Sequence, residues 1–410
     1  MNQQPGLIPQ WIRARSLDFV GLLFVLLIVG LRYTYQGAAA LGLVVALPIA
    51  AIWILTSRSK NIPLQIPKYS WAYLPLILSG ILAVVNSIRP TLSLEELLIW
   101  ALNLVIVLFV INRENKRGLL ICLVIVGILY AQIQIPEAVE VIGTKRLTHP
   151  NNAGALLNVF MTAALAVILN SNPESKTSLA AIACWALSAG VMLTTGSRAA
   201  LLAGVAGDLV VLGISSSWIS KRGRRWIMLA IGSRIAQAAA LLATRTIAAA
   251  IPTDPAVIAS VPRVAIYQAG WSLFTQYPLF GSGLKTFLLI NQAAGPVIIG
   301  QYMHPHNIYL ATLSQMGLVG FAAVALALLV AIWQIWTGCP DQMIRASALA
   351  AVVTMLVHGI LDNPYFEPYN MRAVLIPLAL ALPTKGLTIK MITRGPNYQN
   401  DDCTNYQNDD

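Results

Sequence analysis

The sequence predicts an all-α fold, a polytopic transmembrane helical bundle of about twelve spans. Three observations carry that expectation. Hydrophobic residues make up 57% of the 410 and charged residues only 10%, whereas an average soluble domain is about 25% charged. Mean hydropathy is +0.70, and apolar runs near the roughly 20 residues a bilayer core requires recur along the chain. The basic residues, finally, sort by side once the runs are threaded through a membrane.

Taken in order, the runs lie at about 17–33, 37–55, 71–88, 94–111, 118–135, 153–170, 178–195, 198–218, 226–246, 307–336, 345–361 and 371–383. The first follows Arg13 and Arg15 like a signal peptide, but Arg32 and Tyr33 stand where small cleavage-site residues belong, so it reads as an uncleaved helix. With a cytoplasmic N-terminus, seventeen of the 27 Lys and Arg residues face the cytoplasm, nine face the exterior, and Arg234 is left within a span. Both termini are then cytoplasmic. The net charge of +11 is accounted for by this bias without a nucleic-acid partner. Cys122, Cys184, Cys339 and Cys403 form no CxxC pair, so neither a disulfide framework nor a zinc site is indicated.

The expected organisation is nine spans over 1–246, a large exterior loop over 247–306, three spans over 307–384 and a polar tail over 385–410. Long loops are uncommon unless functional. Within this one, Pro262 opens a short surface helix on which Tyr267, Trp271 and Phe274 share a face, and Tyr277-Pro278 ends it. Such a helix suits either the membrane surface or packing onto the bundle. The tail, where NYQNDD occurs twice, cannot bury a core and is expected to be disordered.

The chemistry gathers at the exterior side. All four histidines, His149, His304, His306 and His358, fall there, and histidine is the natural proton acceptor near neutral pH. Even-numbered spans also present their N-termini to the exterior, each with free N–H groups and about half a positive charge. Lys145, Arg146 and His149 precede the sixth span, Gly196-Ser197-Arg198 opens the eighth, and His304-Pro305-His306-Asn307 opens the tenth, while Pro262-Arg263 repeats the arrangement in the loop. Arginine in a first helical turn is misplaced by about 0.3–1 kcal/mol, so several on one face call for an anion, and a lipid-linked diphosphate fits. Each residue also has a plainer reading. Arg198 serves equally as a headgroup anchor, Asn151, Ser197 and Asn307 as caps, and Arg234 should pair internally or reach an edge. His358 and Asp362, at i and i+4, either orient one another or form only a local pair.

In chain order the series Gly143-Thr144…His149-Pro150-Asn151, Thr195-Gly196-Ser197-Arg198, Arg263…Tyr267…Trp271, Pro278-Leu279-Phe280-Gly281-Ser282-Gly283 and His304-Pro305-His306-Asn307 resembles the O-antigen ligase/polymerase superfamily of bacterial envelope glycosyltransferases. His358-Gly359-Ile360-Leu361-Asp362 resembles the family's penultimate span. The resemblance implies a cofactor-free, metal-independent, inverting transfer of a glycan from undecaprenyl diphosphate to an acceptor hydroxyl, on the periplasmic side of the bacterial inner membrane. In the ligases that acceptor is the lipid A–core oligosaccharide. It further implies that Arg198 and Arg263 hold the diphosphate and that His306, or else His304, meets the acceptor hydroxyl; Arg146 is added to the diphosphate-binding candidates from its place before the sixth span. His149, Asn307, His358 and Asp362 are support candidates. Two alternatives stay open: a polymerase that extends repeat units, and a solute transporter, since one branch of the superfamily carries a bicarbonate-transporter label.

Overall fold

The computed structural model describes residues 64–143, 150–215, 220–250, 263–287 and 304–387. The first two expected spans, Arg146, His149, Pro262 and the tail from 388 onward lie outside the described residues. Eleven helices follow in order: α1 (Leu74–Val85), α2 (Pro90–Ile111), α3 (Lys116–Gly143), α4 (Pro150–Asn170), α5 (Lys176–Met192), α6 (Arg198–Ile214), α7 (Lys221–Ala250), α8 (Arg263–Gln276), α9 (Ile308–Gly338), α10 (Gln342–Leu361) and α11 (Pro368–Ala381). Ten of them fall on the ten later runs of the sequence reading, and α8 falls in the long loop. By length and composition, α2, α3, α4, α7, α9 and α10 suffice to cross a membrane. The described residues thus hold six such helices, and the expected count of twelve stays an expectation.

Helix α4 is the axis of the bundle. Every residue from Ala153 to Leu169 is buried, beneath α3, α5, α6 and α10. Lipid tails are as apolar as leucine, so close packing rather than water exclusion must hold such helices together. The sequence supplies small residues for it. A Cβ at Gly154 would stand 2.5 Å from the Ala200 Cβ, and one at Gly207 would stand 2.4 Å from Thr354 Oγ1. At Gly204 the missing side chain makes room for the Arg234 guanidinium, 2.3 Å from where a Cβ would be. There Arg234 Nε donates to Asp208 Oδ2 at 2.8 Å, and Nη1 donates to Asn158 Oδ1 at 3.1 Å and Gln237 Oε1 at 3.2 Å. The expensive intramembrane arginine is therefore paired internally, with an aspartate on the neighbouring helix.

Two elements are absent from the sequence reading. A two-stranded antiparallel ladder, β1 (Leu64–Pro67) with β2 (Thr384–Leu387), joins the chain before α1 to the chain after α11. Asn112, just past α2, extends it by accepting from Gln65 N at 2.7 Å and donating to Gln65 O at 2.8 Å. The second is a break in α9 at Gly317, whose φ is 66°. A broken helix frees backbone groups that hydrocarbon cannot satisfy. Here the loop after α8 supplies the partners: Ser282 N and Gly283 N donate to Ser314 O and Gln315 O, while Leu318 N and Val319 N donate to Pro278 O and Leu279 O, at 2.8–3.1 Å. Contact this close excludes side chains. A Cβ at Gly281 or Gly317 would lie 2.2–2.6 Å from the facing backbone, and both residues sit at positive φ. The Pro278–Gly283 motif is thus a backbone clasp on a broken helix.

Gly281→Ala and Gly317→Ala should each destabilise the protein by about 2–5 kcal/mol, from left-handed strain plus overpacking. Gly190→Ala, on an exposed helical face with nothing within 4 Å of the added methyl, should change stability by less than about 0.5 kcal/mol. Thermal unfolding in detergent ranks the three, and a Gly190→Ala variant weaker than either clasp variant would contradict the packing described.

Candidate functional site

Three helix N-termini and one C-terminus converge around the Asp362 carboxylate. Asp362 caps the C-terminus of α10 with extended backbone, φ −158° and ψ 171°, so its side chain leaves the α10 axis instead of continuing the helical face. Its Oδ1 lies 2.6 Å from His306 Nδ1 and also accepts from Asn363 N at 2.7 Å. Its Oδ2 accepts from Asn151 Nδ2, in the first turn of α4. Asn151 Oδ1 in turn accepts from Ser197 Oγ at 2.6 Å. Ser197 is the N-cap of α6, accepting from Ala200 N at 3.1 Å, and the next residue is Arg198. One continuous hydrogen-bonded chain therefore runs from the α6 N-terminus through α4 and α10 to the α9 N-terminus.

His306 sits just before α9 with φ 49°, a left-handed backbone that non-glycine residues rarely adopt and that clusters at functional sites. Three contacts hold it there. His306 N donates to His304 Nδ1 at 3.2 Å, Tyr267 Oη donates to His306 O at 3.4 Å, and the imidazoles of His304 and His306 stack edge-on at 4.7 Å. Asn307 N-caps α9 by accepting from Leu310 N at 2.8 Å, and its amide donates to Ile360 O at 2.9 Å, which pins α9 to the end of α10. A carboxylate can only accept, so His306 Nδ1 carries the proton of their bond. In the neutral ring that tautomer makes Nε2 the unprotonated nitrogen.

Burial works to raise the Asp362 pKa, but the hydrogen bond from His306, the charges of His306 and His304 and the Asn363 N–H outweigh it and hold the carboxyl at about 2. His304 moves the opposite way for an imidazole. Burial, reinforced by His306, lowers it to about 4 against the pull of Asp362, so His304 is neutral near pH 7. The metal-binding groups of His304, His306 and Asp362 all lie within 4.8 Å of one another. In a tetrahedral zinc site the ligand atoms are about 3.3 Å apart, and the 2.6 Å between His306 and Asp362 is the spacing of a shared proton.

Of the residues singled out from sequence, the structure brings His304, His306, Asn307 and Asp362 together. Arg198 and Arg263, both exposed, begin α6 and α8. The fields of Arg263 and Asp362 both act on Tyr267, where burial raises the hydroxyl pKa and Arg263 opposes it. His358 departs from the expected pairing. It is fully buried one turn below Asp362, edge-on to Tyr365 at 6.1 Å, and neither ring nitrogen bonds a described residue. The i,i+4 spacing placed both on one helix, but the end of α10 turns the carboxylate toward His306 instead. The Trp271 face of α8 is exposed, while Ile266, Gly270 and Leu273 pack inward, with Gly270 against Leu310 and Pro305. Asn151, Ser197 and Tyr267 join the site in ways the sequence reading did not assign. The available signal was a polar residue immediately after each helix-opening Pro150 and Gly196.

The two shifted groups act on pH-dependent stability in separate windows. An imidazole depressed to about 4 lets the unfolded chain bind protons first, so the His304 contribution is lost as pH falls from about 6.5 to about 4. The Asp362 contribution is intact above about 3.9 and lost only as pH falls through about 2. His304→Gln should therefore flatten the stability profile between pH 6.5 and 4, and Asp362→Asn should remove the loss below that window. The reverse assignment in denaturation profiles would overturn the electrostatics given.

No curated protein matches the chain. Residues 182–325, from α5 through α6, α7, α8 and the clasp into α9, match the family described as O-Antigen ligase, a stretch that includes Arg198, Arg263, His304 and His306. With six helices among the described residues long and apolar enough to cross a membrane, this is a multi-pass membrane protein whose segment 182–325 is similar to the O-Antigen ligase family.

Proposed function

We propose that the chain is a metal-independent, inverting glycosyltransferase of the ligase type. It moves a glycan from undecaprenyl diphosphate to an acceptor hydroxyl, such as one on lipid A–core, at the periplasmic face of the inner membrane. The observation that carries this reading is the hydrogen-bonded chain from Ser197, which caps the Arg198 helix, through Asn151 and Asp362 to His306, whose carbonyl accepts from Tyr267 of the Arg263 helix. In the reaction the acceptor oxygen attacks the anomeric carbon as the bond from that carbon to the diphosphate oxygen breaks. His306 Nε2 takes the hydroxyl proton, and the imidazolium that forms is stabilised by Asp362. Arg198 and Arg263, with the N-terminal dipole ends of α6 and α8, receive the charge that develops on the leaving diphosphate. Arginine suits this role because its planar fork binds phosphate oxygens two at a time. Arg146 and His149 are proposed as further contributors from the same side, and His304 supports the His306 backbone.

Solute transport is a second reading, favoured by the buried Asp208–Arg234 pair within the spans. Bicarbonate flux into proteoliposomes that persists in Arg198→Ala would favour it.

Arg198→Ala, Arg263→Ala and His306→Ala should insert normally and lose at least about 100-fold in transfer from purified lipid-linked donor, with chelator leaving the wild-type rate unchanged. Wild-type rates in any two of them would overturn the assignment. In cells, loss of a ligase leaves no glycan on the core, whereas loss of a polymerase leaves single repeats.

A further inference from the structure

We infer that Asn151 is a positioning residue: its amide locks the carboxylate that orients His306 and ties that base to the helix bearing Arg198. This rests on the transfer reading for its catalytic meaning, but its structural content stands apart from it. The direction of every bond in the chain follows from chemistry alone. Asp362 can only accept, so the Asn151 NH₂ faces it and the amide oxygen faces Ser197. Ser197 Oγ already accepts from Ala200 N, so its single hydrogen goes to Asn151. All four positions are thereby fixed in one orientation, ending with the proton on His306 Nδ1.

Two consequences follow from that fixed direction. With Oδ2 held by Asn151 and Oδ1 by His306 and Asn363, the carboxylate cannot rotate, so the imidazole ring keeps one tautomer and one orientation. Ser197 is also the cap of the helix that Arg198 begins. The position of the cation relative to the base is therefore set through Asn151, across three helices. Asparagine is the fitting residue for that place, because its amide offers a donor to the carboxylate and an acceptor to the hydroxyl in one rigid group. Leucine would offer neither, and aspartate would oppose one carboxylate with another.

The experiment pairs kinetics with a readout that needs no turnover. Asn151→Ala and the isosteric Asn151→Asp are reconstituted in nanodiscs with ¹⁵N-histidine, and the His306 signal is assigned by its loss in His306→Gln. In the wild type it should show a single Nδ1-protonated tautomer. In both variants it should become a mixture of tautomers while size-exclusion profiles stay unchanged. Transfer kcat should fall by about 10- to 100-fold, as for other groups that hold a reactive imidazole from behind, with the donor KM within about threefold. An unchanged tautomer, or a kcat that stays at the wild-type value, overturns the inference. A wild type that shows the single tautomer yet transfers no glycan overturns the transfer reading and leaves the positioning role standing.

Discussion

A carboxylate with both oxygens engaged is the constraint on which the site depends. Asp362 ends α10 and takes hydrogen bonds from residues beginning α4 and α9, so the ends of three long helices meet on one anion. Such a group is costly to bury unless fully bonded, and here every lone-pair direction that matters has a donor. The same bonds that make the burial tolerable fix the tautomer of His306, so packing and proton chemistry are set by one arrangement.

The bundle supplies the stiffness this arrangement needs. Helix α4 is buried from Ala153 to Leu169, which leaves Asn151 little freedom to drift. The clasp of Pro278–Gly283 on the break at Gly317 joins the loop after α8 to the helix that His306 precedes, so α8, with Arg263 at its start, and α9 are tied by backbone hydrogen bonds as well as side-chain contacts. Low in the bundle, Asp208 and Arg234 bind α6 to α7. Each device puts irregular backbone or charge where other protein groups satisfy it, as a membrane interior requires.

The helices were legible because hydropathy over about twenty residues is a strong signal. The candidate histidines and arginines were legible because they sit at helix-opening positions with a shared chemical logic. What was not legible depends on contacts between distant segments. The ladder of LQIP with TKGL has too few residues for an alternating pattern to register. Gly317 lies in an unbroken apolar run, and its break is intelligible only beside Gly281. Spacing paired Asp362 with His358, but the extended backbone at the helix end redirected it to His306, 56 positions away. Arg234 called for a partner, and nothing local pointed to Asp208, 26 residues earlier on another helix.

On the proposed mechanism the guanidinium groups of Arg198 and Arg263 and the Nε2 of His306 face one anion-binding mouth. Cryo-electron microscopy of the protein with a non-transferable undecaprenyl diphosphate glycan tests this directly. Diphosphate density should lie between the two arginines, with the anomeric carbon within reach of a hydroxyl bonded to His306 Nε2. Diphosphate density elsewhere, or His306 turned away from it with its bond to Asp362 broken, would contradict the proposed mechanism.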